Sequence, residues 1–221
     1  MQRSDGTEPT TTDRRNASTL ANRLSRLYPD ITTALEYQDP WQLLVATTIS
    51  AQTTDENVNR ATPALFARYP DPESLARANP DEVEALIYST GFYRQKTKSI
   101  ISLSEDLVAN FAGVVPAKLD DLVTLRGVGR KTASVVLAEA FGVPAIAVDT
   151  HVKRVSARLG LTIETDPVKI EQDLKALFAQ KRWAKLSMTL IQFGRDVCDA
   201  RKPRCGSCPL IDRCAYPDKI L

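Results

Sequence analysis

The sequence predicts an all-α protein of two lobes. Apolar residues recur at helical spacing, alternation with a period of two never persists, and Pro and Gly interrupt the apolar runs at short intervals. With 221 residues and 43% hydrophobic content, the chain is long and apolar enough to bury a real core in one or two domains.

Each element follows from local chemistry. Residues 1–16 carry Ser, Thr, Asp, Arg and Gly with almost nothing apolar, so a disordered tail is expected there. From Ser18 onward, Leu20, Leu24 and Leu27 give the stripe of a first helix. Asp39-Pro40 opens a second with an N-cap and a first-turn proline, and its apolar stretch from Trp41 to Ser50 marks the buried centre of a lobe. Short helices punctuated by Pro63, Pro70, Pro72 and Pro80 follow. A long helix from about 95 to 111 is ended by Gly113 and Pro116. Residues 121–125 read as a short helix, Arg126-Gly127-Val128-Gly129 as a tight turn, and residues 130–141 as a second helix. An extended apolar connector at 144–148 is the expected passage between lobes. Asp149 caps a helix to about Leu159, helices at about 167–178 and 182–197 follow, and a cysteine loop closes the sequence.

Composition narrows the chemistry. The 29 Lys and Arg against 27 Asp and Glu leave a net charge of +2, so affinity for nucleic acid depends on where positive charge sits. The single histidine, His151, excludes sites that need two imidazoles, such as helical two-His zinc proteases. No segment reads as a signal peptide or a membrane span, so a cytoplasmic protein is expected.

The turn at Gly127-Val128-Gly129 suits a phosphate. Glycines permit positive φ and close approach, and the following helix offers N–H groups and a positive dipole end. Backbone donors read no base, so such a unit holds DNA without sequence preference. The plainer reading is a helix–helix turn, against which Leu122, Leu125, Val128, Ala133 and Val136 supply the apolar pattern of two packed helices. Lys131 lies in the first turn of the second helix, where the dipole and the neighbouring Arg126 and Arg130 disfavour its protonated form. It is either a nucleophile or a surface lysine on phosphate. Asp149, 18 positions on, is either a helix cap or a carboxylate that takes a proton or stabilises positive charge on a sugar. His151 reads first as a structural hydrogen-bonding group.

All four cysteines, Cys198, Cys205, Cys208 and Cys214, fall within 17 residues. Disulfides are a poor use of them in an intracellular chain, and zinc with four cysteines usually draws on two C-x2-C pairs where this loop has one. The irregular spacing suits a [4Fe-4S] cluster better. Arg201, Lys202, Arg204 and Arg213 on the same loop are either solvated charge or a further phosphate contact.

Together these residues resemble the endonuclease III family of DNA glycosylases, in the helix-hairpin-helix superfamily with a catalytic aspartate. The signatures are Ser50-Ala51-Gln52-Thr53-Thr54-Asp55, residues 125–133, Val148-Asp149-Thr150-His151 and the four-cysteine loop, and the resemblance covers residues 18–217. It implies a six-helix barrel domain at 33–143 containing the helix-hairpin-helix, and an iron-sulfur cluster domain formed by 17–32 plus 144–221. It implies a bifunctional glycosylase and AP lyase that removes oxidised pyrimidines from duplex DNA and cuts 3′ to the abasic site by β-elimination. Lys131 becomes the Schiff-base nucleophile, Asp149 the catalytic carboxylate, and the four cysteines the ligands of a [4Fe-4S] cluster. Gln52, Thr90, Arg126, Gly127, Val128, Gly129, Arg130 and His151 become DNA contacts, with Gln52 filling the gap left by an extruded base. Thr90 stands where the family often has an aliphatic residue near the wedge, and Arg126 stands where the family hairpin usually has proline, adding charge beside the turn. The implied partner is damaged double-stranded DNA, bound by a bacterial, nucleoid-associated monomer. The related adenine glycosylases carry a glutamate early in the second barrel helix, which Gln42-Leu43-Leu44-Val45-Ala46 lacks. A DNA-bound iron-sulfur protein without enzymatic activity would have no need of Lys131 and Asp149.

Overall fold

The computed structural model describes residues 10–220, and among these every regular element is helical. The chain divides into two compact units, one formed by residues 33–143 and the other by residues 1–32 with 144–221.

The continuous unit is built around α2 (Pro40–Ile49), in which Asp39 accepts the Gln42 amide as N-cap and Pro40 takes the first turn. Leu43, Leu44, Val45, Ala46 and Ile49 are fully buried, so this short helix is apolar on nearly every face. It packs against α3 (Asp55–Arg68), α6 (Tyr93–Phe111) and α8 (Arg130–Phe141). Pro63, expected as a break, lies inside α3 instead. An interior proline costs about 3 kcal/mol, and burial of Val58, Ala61, Thr62 and Leu65 on the same helix offsets it. The remaining prolines act as expected: Pro72 and Pro80 open α4 (Pro72–Ala76) and α5 (Pro80–Ile87) behind Asp71 and Asn79 caps. The short α7 (Leu119–Leu122) leads into the hairpin, and its Leu122 is fully buried.

The discontinuous unit contains α1 (Thr11–Leu27), α9 (Thr150–Arg158), α10 (Pro167–Leu177) and α11 (Trp183–Asp196). Leu24, Val152, Val155, Ile170, Leu174, Leu190 and Phe193 form its core, and Cys198, Cys208 and Cys214 pack against the edge of that core. The expected tail at 1–16 requires correction in its second part. Thr10 and Asp13 form a reciprocal capping box, with the Asp13 amide 3.2 Å from Thr10 Oγ1 and the Thr10 amide 2.9 Å from Asp13 Oδ2. These bonds start α1 at Thr11, a local signal that outweighs the scarcity of apolar residues. Residues 1–9 of the expected tail lie outside the described residues.

Candidate functional site

In the continuous unit, α6 backs the hairpin and begins directly after the turn at Gly91 and Phe92. Gly127 has φ +83°, and a Cβ built there would come within 2.7 Å of Ser99 Cβ on α6, so hairpin and helix meet at a distance only glycine allows. Gly129 behaves differently from the expectation of two positive-φ glycines. It takes extended φ −86°, ψ 167° as N-cap of α8, and open space surrounds the position its Cβ would fill. One glycine therefore serves internal packing, while the other leaves the outer surface bare. No side chain caps α8, whose positive end begins at exposed Arg130 and Lys131. Val128 is buried and its amide donates to the Leu125 carbonyl at 3.1 Å, so this residue is part of the turn's own framework.

Arg126, expected beside a phosphate, is engaged within the protein. Its guanidinium Nε lies 2.9 Å from Asp106 Oδ1, its Nη2 lies 2.8 Å from Glu105 Oε2, and its backbone amide donates to Asp106 Oδ2 at 2.8 Å. The Nη2 also donates to the Ser102 carbonyl at 3.2 Å. Ser99, Ser102 and Asp106 recur at helical spacing on one face of α6, which explains how one helix backs both Gly127 and Arg126. The hydrogen bond from Arg126 holds the Asp106 carboxyl below its ordinary value, and the two acidic partners raise the Arg126 guanidinium. The side chain expected at a phosphate thus forms an internal clamp between the hairpin and α6.

Gln52 sits exposed on the loop between α2 and α3 with φ +56°, an uncommon left-handed conformation for a residue with a side chain. Thr90 is the reverse: only 2% exposed, it donates from Oγ1 to the Ile87 carbonyl at 2.7 Å and cannot act as a surface wedge. Two residues on, Phe92 is 66% exposed and left-handed at φ +48°. The sequence marks Thr90 as a DNA contact near the wedge and leaves the wedge residue itself unassigned. The signal for Phe92 is a large aromatic directly after Gly91 in a turn.

In the discontinuous unit, Asp149 begins α9. Its Oδ1 accepts the Val152 amide at 2.8 Å and its Oδ2 lies 3.2 Å from His151 Nδ1. Helix cap and histidine contact therefore coexist in one half-buried carboxylate. His151 packs on Gly194 of α11, where an added Cβ would come within 3.1 Å of the ring. Lys131 and Asp149 belong to different units.

Four free thiols make up the donor set of the cysteine loop. Burial pushes the Cys208 thiol up, and the other three sulfurs act on it in the same direction, so all three lie within electrostatic reach of Cys208. Among the described residues, no three His, Cys, Asp or Glu side chains are set to hold a single metal ion. Four free thiols grouped around Cys208 are the soft donor set that an iron-sulfur cluster takes. Arg158 holds both ends of the loop: Nη1 donates to the Asp199 carbonyl at 2.7 Å and Cys198 Sγ at 3.4 Å, while its carbonyl accepts the Ala215 amide at 2.9 Å. Arg154 adds a bond from Nε to the Cys198 carbonyl at 3.1 Å.

A family model described as HhH-GPD superfamily base excision DNA repair protein matches residues 45–180. A second, the iron-sulfur binding domain of endonuclease III, matches residues 198–214, from the first cysteine of the loop to the last. The chain is 55% identical over 192 residues to endonuclease III of Synechocystis sp., covering 86% of this chain and 88% of that protein. It is 44% identical over 199 residues to endonuclease III of Bacillus subtilis, covering 90% and 91%. A solved structure of a trapped endonuclease III-DNA covalent intermediate has a TM-score of 0.88 at 39% identity and covers 91% of this chain and 95% of its own. A non-covalent endonuclease III-DNA complex gives 0.87 at the same identity and coverage.

Proposed function

Because the chain belongs to the endonuclease III family, base excision repair DNA glycosylases with AP lyase activity that carry a [4Fe-4S] cluster, we propose that Lys131 is its nucleophile and Asp149 its catalytic carboxylate. The observation that carries this reading is the exposed Lys131 on the first turn of α8, beside the bare surface of Gly129 and with no side chain capping the helix. A DNA backbone phosphate laid against that helix end brings the adjacent sugars within the lysine's reach.

The substrate is duplex DNA bearing an oxidised pyrimidine, whose poor stacking lowers the cost of extrusion below the few kcal/mol of a normal base. Gln52 fills the vacated space and Phe92 wedges the stack. The neutral Lys131 amine attacks C1′; the N–C1′ bond forms as the glycosidic bond breaks, and its electron pair leaves with the base, which takes up a proton. Asp149 stabilises the positive charge that develops on the sugar. Opening of the C1′–O4′ bond gives the iminium, which acidifies the C2′ proton. Loss of that proton expels the 3′ phosphate as the C3′–O3′ bond breaks, and water releases the enzyme.

Cys198, Cys205, Cys208 and Cys214 are the thiolates that hold the cluster, which supplies the cross-links that fix their loop. The proposed groups all belong to one chain, and a monomer bound along DNA in the bacterial nucleoid is the form in which we expect it to act. Excision from duplexes containing thymine glycol or dihydrouracil tests the reading. The wild type should release the base and cut the strand, and Lys131→Gln should do neither while binding abasic duplex within about tenfold. Equal loss of binding and chemistry would make Lys131 a phosphate contact.

A further inference from the structure

The loop that carries Gln52 and the turn that carries Phe92 are joined by a single side chain for which the reaction has no other use. Asn57, in the first turn of α3, donates from Nδ2 to Thr53 Oγ1 at 3.1 Å and to the Ser89 carbonyl at 2.7 Å. Thr53 is the neighbour of Gln52, and Ser89 lies in the 3₁₀ turn Tyr88–Thr90 that precedes Gly91 and Phe92. The position of Asn57 is itself fixed, because its amide donates to the Thr54 carbonyl and hydroxyl at the helix start. The next carbonyl along, that of Thr90, accepts Lys96 Nζ at 2.8 Å, and Lys96 is buried. Successive peptide planes before Gly91 are thus held from two helices. Both loops carry a residue with a side chain in the left-handed region, Gln52 at φ +56° and Phe92 at φ +48°, a conformation that persists only where the surroundings hold it.

We propose that Asn57 is a positioning residue that couples the Gln52 loop to the Phe92 turn, so that gap filling and wedging occur as one event. The inference rests on the reading above that these two residues enter the duplex. The chemistry requires a donor at position 57, because a carbonyl oxygen only accepts, and the two hydrogens of the Asn57 Nδ2 group serve Thr53 and Ser89 at once. A carboxylate there would set oxygen against oxygen.

The test compares Asn57→Asp and Asn57→Ala with Gln52→Ala and Phe92→Ala in the full-length protein with its cluster. An acidic residue in the first turn of α3 suits the helix dipole, so Asn57→Asp retains the fold, and Asn57→Ala serves as the second variant. Unstacking is read from the fluorescence of 2-aminopurine placed opposite the lesion in a duplex. Asn57→Asp should reduce the fluorescence rise on binding and slow duplex excision by about tenfold, equivalent to about 1.4 kcal/mol. β-Elimination on a single-stranded abasic oligonucleotide, which has no stack to fill, should keep the wild-type rate. Unchanged fluorescence and duplex excision in both Asn57 variants would overturn the proposal while Gln52→Ala and Phe92→Ala still lower the signal. Equal slowing on single and double strands would overturn it in favour of a general folding role. If Gln52→Ala and Phe92→Ala also left the fluorescence unchanged, the insertion reading would fall together with the coupling.

Discussion

The hairpin and the cysteine loop are held in opposite ways. The hairpin rests on apolar packing: Leu122, Leu125 and Val128 are buried beneath it, Gly127 closes on Ser99, and the Arg126 clamp ties it to α6. The cysteine loop has Leu210 as its one fully buried apolar anchor, with polar bonds from Arg154 and Arg158 at its first end and from Arg158 at its last. A segment shaped by its own packing is preorganised without a cofactor, whereas one stitched by a few polar bonds depends on its cluster for shape.

The largest predicted effect follows from removing the cluster. Cys205→Ser or Cys208→Ser should lose the brown colour and about four irons per chain, and bind abasic duplex more than tenfold more weakly. Visible absorption, iron analysis and a binding titration check this, and a coloured, fully active variant would show that the loop shapes itself. Next, Gly127→Ala should keep its colour yet lose stability and binding together. Forcing a side chain into left-handed φ costs about 1–2 kcal/mol, and the contact with Ser99 adds to that. A double variant with Ser99→Gly should recover only the part due to the contact, as read by urea unfolding.

The clamp gives a smaller, pH-dependent effect. Asp106 is depressed in the folded state from its ordinary value of 3.8, chiefly by the hydrogen bond from Arg126. Its contribution to stability is therefore complete above that ordinary value and lost as pH falls through the lower folded value. Asp106→Asn should flatten the acid limb of the urea midpoint against pH and leave stability near neutral modestly lower. Arg126→Pro, which the resemblance alone would make benign, removes both the guanidinium bonds and an amide donor to Asp106, so it should destabilise the hairpin. The smallest effect is on salt: because Arg126 is engaged by carboxylates, Arg126→Gln should leave the slope of log binding against log salt unchanged, where a lost phosphate contact would lower it by about 0.9.

The parts of this molecule that were legible in the sequence are those whose signals are local. Asp39-Pro40 and Asp149 announce helix starts through cap chemistry, and the four cysteines announce a cluster through their spacing. What escaped depends on partners distant in the chain. The Arg126 clamp needs Asp106 and Glu105 to arrive from α6, 20 and 21 positions earlier, and no local pattern marks that meeting. Thr90 and Phe92 are two positions apart, yet a turn buries one and exposes the other. The start of α1 was missed because its capping box, Thr10 with Asp13, lies in a segment that composition alone assigned to disorder.

The central claim is that the uncapped, packing-shaped start of α8 presents Lys131 as a nucleophile. Borohydride reduction of the protein with abasic duplex, followed by peptide mapping of the covalent adduct, tests it most directly. The account predicts a single adduct on Lys131, absent in Lys131→Gln and still formed in a protein whose hairpin clamp is cut by Asp106→Asn. An adduct on any other amine, or one that persists in Lys131→Gln, would contradict it.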